Sequence, residues 1–428
     1  MITAKAFAGK HYAVYGLARS GLATAAALLA SGARVTAWDA TEEARDKAPA
    51  GAGLADLDDA DLKQFDSLVV TPGLPLNRHT IAKRAREAGL EIIGDIELFA
   101  RARSELPPHK VVGITGTNGK STTTALIHHI LKAAGVPTTM GGNIGLPILV
   151  QDPLPDFGVY VLELSSYQID LTQSLDCDVA VLLNITPDHL DRYADFDAYV
   201  ASKVRLLEMQ TDRHVQVISR ETQPTFEEYE NRWFEDHDRV VGIGADEIPD
   251  QSRWPALQGP HNAENAAAAI ATCRALGLSE AEIEQGLRTY PGLPHRMERV
   301  RDKDGVLYVN DSKATNPTAT APALAAFPSI RWILGGQAKT DNLDECAPHF
   351  AHVRSAYTIG EAGELFARLL EPHMPVHECN TLENAVNRAA EDSQPGDTVL
   401  LSPACASFDQ FKDFEQRGDR FKGLVGAL

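Results

Sequence analysis

Between Gly113 and Thr123 the chain reads Gly-Ile-Thr-Gly-Thr-Asn-Gly-Lys-Ser-Thr-Thr, a run of residue types that suits a polyphosphate. Lys110-Val111-Val112 before it has the character of a strand end, and an Ala/Leu/Ile-rich pattern to about Ala134 predicts a helix after it. A glycine-rich turn between strand and helix aims several backbone N–H groups and the positive end of the helix dipole at one point. Lys120 can neutralise phosphate charge, and the Ser121 hydroxyl can ligate Mg²⁺. The string is G-x-x-G-T-N-G-K-S-T; the common phosphate-loop spacing would need glycine where Ile114 stands.

Other positions carry chemistry-bearing types. A strand over Val159–Leu164 ends in Glu163-Leu164-Ser165-Ser166-Tyr167-Gln168, and an acid at the end of a buried strand beside a phosphate loop can hold the Mg²⁺ of ATP. A strand over Val179–Leu183 runs into Asn184-Ile185-Thr186-Pro187-Asp188-His189-Leu190-Asp191-Arg192-Tyr193. Taken singly, His189 reads as a hydrogen-bonded loop histidine. In the helix predicted over Phe196–Met209, Phe196, Tyr199, Val200, Val204 and Leu207 form an apolar stripe, and Lys203 falls on it. The pattern alone leaves open whether Lys203 is buried or snorkels to water. Asn262 and Asn265 lie three apart at the start of an alanine-rich helix, where their amides could jointly address a base edge; Asn262 also reads as an N-cap.

The glycine-rich string resembles the nucleotide loop of the Mur ligases, the ATP-dependent amino-acid ligases of peptidoglycan precursor synthesis; folylpolyglutamate synthetase carries a relative of it. The resemblance continues in order through Gly141-Gly142-Asn143-Ile144-Gly145, the N-x-T-x-D-H-x-D string around His189, the H-N-x-x-N of Asn262 and Asn265, and His295-Arg296-Met297-Glu298. It extends over Asn310-Asp311-Ser312-Lys313-Ala314-Thr315-Asn316-Pro317, Gly335-Gly336-Gln337-Ala338-Lys339 and a tail from Ser402 to Gly418. That tail is similar to the S-P-A-x-A-S-x-D-x-F-x-x-F-x-x-R-G of the glutamate-adding branch, and the D-N-P-R loop of the diaminopimelate- or lysine-adding branch is absent. The chain departs at Gln337, where many members have an acid, and in a shortened polar central segment.

What the resemblance implies is specific. Thr117, Asn118, Gly119, Lys120, Ser121, Thr122, Thr123, Asn262, Asn265, Arg296 and Asp311 are expected at ATP, with Lys120, Glu163, His189, Lys203 and Arg296 catalytic. Ser121, Glu163, His189 and Lys203 are expected around Mg²⁺, two ions in all, with Lys203 carrying a CO₂-derived carbamate. Ser20, Asp39, Gly73 and Asn143 are expected at the UDP-sugar, and Lys313, Thr315, Lys339, Ser407 and Phe414 at glutamate. The implied reaction is ADP-forming ligation of D-glutamate to UDP-N-acetylmuramoyl-L-alanine through an acyl phosphate. Alternatives are the same reaction with L-glutamate, a folylpolyglutamate synthetase-like glutamate ligase, and a non-catalytic sensor of nucleotide and UDP-sugar.

The elements that must position these residues alternate strand and helix, which predicts α/β domains with doubly wound sheets. Strands are expected at His11–Tyr15, Ala33–Trp38 and Ser67–Val70, with a helix over Leu22–Ala30. Gly16-Leu17-Ala18-Arg19-Ser20-Gly21 resembles a dinucleotide fingerprint, but Ala18 occupies the place of the middle glycine and disfavours close pyrophosphate approach. Gly73 sits in the turn Thr71-Pro72-Gly73-Leu74-Pro75 at a strand's C-terminal end, where α/β ligands bind, although a plain proline turn is an equal reading. Glu105-Leu106-Pro107-Pro108 and Pro291-Gly292-Leu293-Pro294 mark boundaries. Three domains are expected: 1–104, Rossmann-like and UDP-binding; 105–294, a P-loop-type mononucleotide-binding domain; and 295–428, Rossmann-like. In the last, strands are expected at Val306–Val309, Arg331–Leu334, Ala356–Ile359 and Thr398–Leu401. Residues 211–255 read as polar and irregular, with helix-like stretches.

The 428 residues carry a formal charge of −19, which argues against a nucleic-acid partner. Five cysteines, scattered and without C-x-x-C spacing, read as reduced core thiols in the cytoplasm. The start of the chain leads into no apolar signal core, and no run of about 18 apolar residues suggests a membrane span. A cytoplasmic monomer is the expectation.

Overall fold

The computed structural model describes residues 1–188, 191–220 and 239–428. His189 and the stretch 221–238 lie outside the described residues. Three sheets hold the strands. The first is five-stranded and parallel, in the spatial order Gly53–Leu54, Arg34–Trp38, His11–Tyr15, Ser67–Val70, Ile92–Ile93. The second is six-stranded and parallel: Val240–Ile243, Val215–Ser219, Val179–Leu182, His109–Thr115, Gly158–Glu163, Thr138–Gly142. The third runs Glu298–Lys303, Val306–Asn310, Thr398–Leu401, Ile330–Gly335, Val353–Ile359, Val376–Asn380, with only the first pair antiparallel.

The chain divides into two compact units, Met1–Glu247 with Glu264–Leu287, and Ile248–Ala263 with Arg288–Leu428. In the first unit the first two sheets share one apolar core, in which Phe99 from one side meets Tyr160 from the other edge to face. Central strands such as Gly158–Glu163 are buried at every residue, as expected for parallel strands covered on both faces. In the second unit Trp332 is fully buried, and its indole N–H donates to the Ser402 carbonyl at 2.8 Å, which satisfies the one polar atom of the ring.

The stretch 211–255, expected to be irregular, instead contributes the strands Val215–Ser219 and Val240–Ile243 at one edge of the second sheet. Val240–Ile243 is the edge strand and only partly buried, and Val215–Ser219, though buried, is five residues long in a polar stretch, so neither offers a long apolar period to read. Among the described residues, no helix is long and apolar enough to cross a membrane.

Candidate active site

The strand–turn–helix order is as the sequence predicts, but the strand His109–Thr115 runs three residues past Val112 into the string, so that the turn itself is Gly116 to Gly119 and opens the helix Lys120–Ala133. Two glycines are required by the geometry. Gly116 has φ +151°, and a Cβ there would lie 2.8 Å from that of Leu183; Gly119 caps the helix at φ +82°, and a Cβ would meet Asn265 Oδ1 at 2.3 Å. The neighbouring strand's end shapes the loop from the side. Thr117 N–H donates to the Asn184 carbonyl at 2.7 Å, Asn118 N–H to the Asn184 side-chain oxygen at 2.9 Å, and the Thr117 hydroxyl contacts Tyr199 OH at 3.1 Å. Lys120 Nζ folds back onto the loop, donating to the carbonyls of Gly116 at 3.0 Å and Thr117 at 2.7 Å. Ser121 and Thr122 are half-buried in the helix's first turn, and Thr123 is buried, its hydroxyl donating to Asn265 Oδ1 at 3.1 Å.

Lys203 lies in the helix Phe196–Glu208 and is 2% exposed, so it does not snorkel. Its Nζ donates to the Gly116 carbonyl at 2.8 Å and stands 4.6 Å from the centre of the Tyr199 ring. Burial, and then the charge of Lys120, pull its ammonium down from the ordinary lysine range to about 7. An appreciable neutral fraction therefore exists near neutrality, the form that can take up CO₂.

Glu163 ends its strand opposite Ile114 on one side and Gly142 on the other. Asn143 holds it twice: its backbone N–H donates to the Glu163 carbonyl, and its side-chain amide to Glu163 Oε1, both at 2.8 Å. Glu163 Oε2 is buried with no hydrogen-bond partner among the described residues. An unpaired buried carboxylate oxygen is costly, and a cation relieves that cost, so the residue fits a divalent metal. Among the described residues no three His, Cys, Asp or Glu side chains converge on one point.

The sugar-side residues expected from the sequence sit on the first sheet's loops. Asp39 caps the turn after the first strand, accepting from Leu17 N–H at 2.7 Å and from Thr41 N–H at 2.9 Å. Ser20 lines a small crevice with Gly21, Thr24, Thr71 and Asp95. Asp95 is buried, and burial raises its carboxyl to about 6. The Gly73 carbonyl accepts from Arg192 at 3.2 Å; Arg192 also donates to the Leu74 carbonyl at 2.8 Å and stacks on Tyr167, its guanidinium 4.1 Å from the ring centre. Arg19 donates to the Gly145 carbonyl at 2.5 Å. Asn143, expected at the UDP-sugar, is thus bonded to the expected metal ligand.

In the second unit the Asn262 amide donates to the Gln258 carbonyl at 3.0 Å, and its helix begins at Pro260, so Asn262 is not an N-cap. Asp311 is buried; its carboxylate accepts from Met297 N–H at 3.1 Å and from the Ser402 hydroxyl at 2.7 Å, and burial raises it to about 7. Arg296 is exposed between two residues of left-handed backbone, His295 at φ +62° and Met297 at φ +47°. Such residues cost about 1–2 kcal/mol each unless glycine. Lys313 Nζ lies 3.8 Å from the centre of the Phe414 ring, which brings two of the expected glutamate residues together. An antiparallel bridge between Gln337 and Ala406 joins the loop of Lys339 to that of the buried Ser407; Thr315 is half-buried after Lys313.

Arg417 carries no local sequence signal of its role beyond its place in the tail string. It is 1% exposed and donates to the Ser312 hydroxyl and carbonyl and to the carbonyls of Cys405 and Ala406, locking the Asn310 loop to the tail. Asn184 and Arg192 act through partners distant in sequence, the loop of Lys120 and the Gly73 turn, so no local signal marks them.

A phosphate loop on a parallel sheet, with a free carboxylate oxygen at the end of the next strand, defines a mononucleotide-binding α/β protein. Residues 114–254 match the Mur ligase middle domain, and 295–405 match the Mur ligase glutamate ligase domain. The chain is 59% identical, over all of its length and 97% of the other's, to the UDP-N-acetylmuramoylalanine--D-glutamate ligase of Novosphingobium aromaticivorans. It is 60% identical to the protein of that name from Sphingopyxis alaskensis, with all of both chains covered. The chain belongs to the Mur ligase family. Among solved structures it is similar to the MurF ligase of Thermotoga maritima in complex with ADP, at TM-score 0.62 and 18% identity over 98% of this chain and 96% of that one. The UDP-N-acetylmuramate-alanine ligase MurC of the same organism matches at TM-score 0.58 and 16% identity over 98% and 99%. At those identities the likeness concerns the fold.

Proposed function

We propose that this chain joins D-glutamate to UDP-N-acetylmuramoyl-L-alanine with cleavage of ATP to ADP, as a step of peptidoglycan precursor synthesis. The observation that carries the reading is full-length identity of 59–60% to relatives bearing that ligase's name, beside a phosphate loop of fitting geometry. A carboxylate is a poor electrophile with a poor leaving group. Transfer of the γ-phosphoryl group to the alanyl carboxylate supplies a good one, and the amine of glutamate then displaces phosphate from the acyl phosphate. The reading includes three domains with boundaries near 104 and 294, a cytoplasmic location and a monomeric enzyme.

Lys120 leaves its own loop carbonyls for the phosphates; Thr117 to Thr123 are assigned to ATP, with the backbone N–H groups of Gly119 to Thr122 completing the cradle and Arg296 as a further phosphate-binding charge. Asn262, Asn265 and Asp311 are assigned to the nucleoside; Ser20, Asp39, Gly73 and Asn143 to the UDP-sugar; Lys313, Thr315, Lys339, Ser407 and Phe414 to glutamate. Ser121, Glu163, His189 and Lys203 as its carbamate would hold Mg²⁺, which would supply charge neutralisation for the transferring phosphate. Asn143 fixes which Glu163 oxygen is free.

Lys203→Ala is expected to fold and to lose nearly all activity, and acetate is expected to restore part of it by occupying the vacated space as an anion. Restoration by small amines instead would show that positive charge was what mattered. For the activity as a whole, ADP release should require UDP-N-acetylmuramoyl-L-alanine and D-glutamate together, with L-glutamate failing to substitute. A folate acceptor in place of the UDP-sugar should give none.

A further inference from the structure

The arginine-glycine pair that ends the tail motif has no part in the reaction as assigned so far. Gly418 lies in the helix Phe414–Ala427, where glycine is otherwise a poor choice, and a Cβ on it would come within 2.1 Å of His295 Nδ1. His295 is 7% exposed and is tied on every side. Its N–H donates to Glu298 Oε2 at 2.8 Å, its carbonyl accepts from Lys313 N–H at 3.0 Å, and its Nδ1 lies 3.0 Å from the Asn310 side-chain amide. Because that amide donates, Nδ1 accepts and the ring proton sits on Nε2. The Asn310 amide also donates to Glu298 Oε2 at 2.9 Å, and the imidazole meets Phe414 edge to face. On the other flank Met297 N–H is taken by Asp311. Between these anchors only Arg296 is exposed, and both neighbours are non-glycine residues of positive φ.

We infer that residues 295–298 form a strained arch, seated in the notch that Gly418 leaves open, whose role is to hold the Arg296 guanidinium in its working orientation. His295 and Gly418 are positioning residues in this account. The arch is bolted to Asn310, Lys313 and Phe414, so the segment that presents the arginine shares its anchors with residues assigned to glutamate. A left-handed backbone persists at two consecutive non-glycine flanks only where the surroundings over-determine it, and here four side chains and a glycine do so. The inference rests on the assignment of Arg296 to the ATP phosphates.

The test is steady-state kinetics of full-length variants with ATP, UDP-N-acetylmuramoyl-L-alanine and D-glutamate. Gly418→Ala is expected to push the ring and lower kcat/KM for ATP by about tenfold or more, with KM for the UDP-sugar unmoved. Adding His295→Gly removes the ring and accepts the positive φ, and should recover most of that loss. In an Arg296→Ala background, Gly418→Ala should cost nothing further. Met297→Gly relaxes the same arch with no added volume; it should lose several-fold in kcat/KM for ATP by itself and nothing further in the Arg296→Ala background, which decides the matter should Gly418→Ala fail to fold. Equal losses with and without Arg296, or wild-type kinetics in both single variants, would overturn the arch. Wild-type kinetics in Arg296→Ala would overturn the phosphate assignment beneath it.

Discussion

Two strand–turn–helix loops in the first unit invite comparison. Both follow the first-laid strand of a parallel sheet, both turn on glycines of positive φ, and both open a helix with a hydroxyl residue in its first turn: Gly16 to Ser20, and Gly116 to Ser121. Both are also clamped by the strand that lies beside them. A Cβ at Gly16 would lie 2.4 Å from Thr71 Oγ1, just as one at Gly116 would strike Leu183. They differ in what fills the mouth. The second has a glycine at the helix cap and a lysine whose amine rests on loop carbonyls, ready to exchange them for phosphate oxygens. The first has Ala18 at its cap, a carboxylate, Asp39, on the Leu17 N–H, and its own cation, Arg19, spent on the Gly145 carbonyl. Shared shape thus leaves the ligand undecided; cap residue and charge decide it.

The comparison is broken most directly by removing the cations. Lys120→Ala should lower kcat on the order of 10²–10³-fold, the scale of losing one preorganised electrostatic partner of a transition state. Arg19→Ala should change KM for the UDP-sugar by only about two- to fivefold, since it removes one exposed hydrogen bond to a backbone carbonyl. Similar losses in the two variants would mean that the loops are functional equals. An effect between these two sharpens the contrast: Asp39→Asn weakens the grip on Leu17 N–H and should raise KM for the UDP-sugar about tenfold, while KM for ATP stays unchanged.

The smallest effect concerns the floor of the first loop. The Asp95 carboxyl keeps its proton to about pH 6 in the folded chain but releases it near its ordinary value of 3.8 when unfolded. Between those values the native state binds more protons, so stability falls as pH rises through the window and is level above it. Asp95→Asn should therefore raise the melting temperature at pH 8 and leave it nearly unchanged at pH 4. A gain of equal size at both pH values would show that charge burial is not the cause.

The strands Ser67–Val70 and Thr398–Leu401 were legible to the residue and the strand–turn–helix order around Lys120 in outline, because unbroken apolar runs and glycine spacing are local signals. The apolar stripe left the burial of Lys203 open, and only the packing of its helix, which turns that stripe inward, decides it. Two-residue strands such as Gly53–Leu54 and Ile92–Ile93 have no period to read, and Glu298–Lys303 is an edge strand made mostly of charges. The site's supporting contacts were hidden for a different reason. Asn143 on Glu163, Asn184 on the loop, Arg192 on the Gly73 turn and Gly418 under His295 are pairings between residues 20 to 123 positions apart, and only the fold brings them together. The resemblance named Asn143 as a sugar residue; its two bonds to Glu163 give it a second task.

The central claim, activation of a carboxylate by phosphoryl transfer, is tested most directly by isotope. UDP-N-acetylmuramoyl-L-alanine carrying ¹⁸O in its alanyl carboxylate, turned over with ATP and D-glutamate, should release inorganic phosphate that contains one labelled oxygen, with ADP as the nucleotide product. Unlabelled phosphate, or AMP with pyrophosphate, would contradict it.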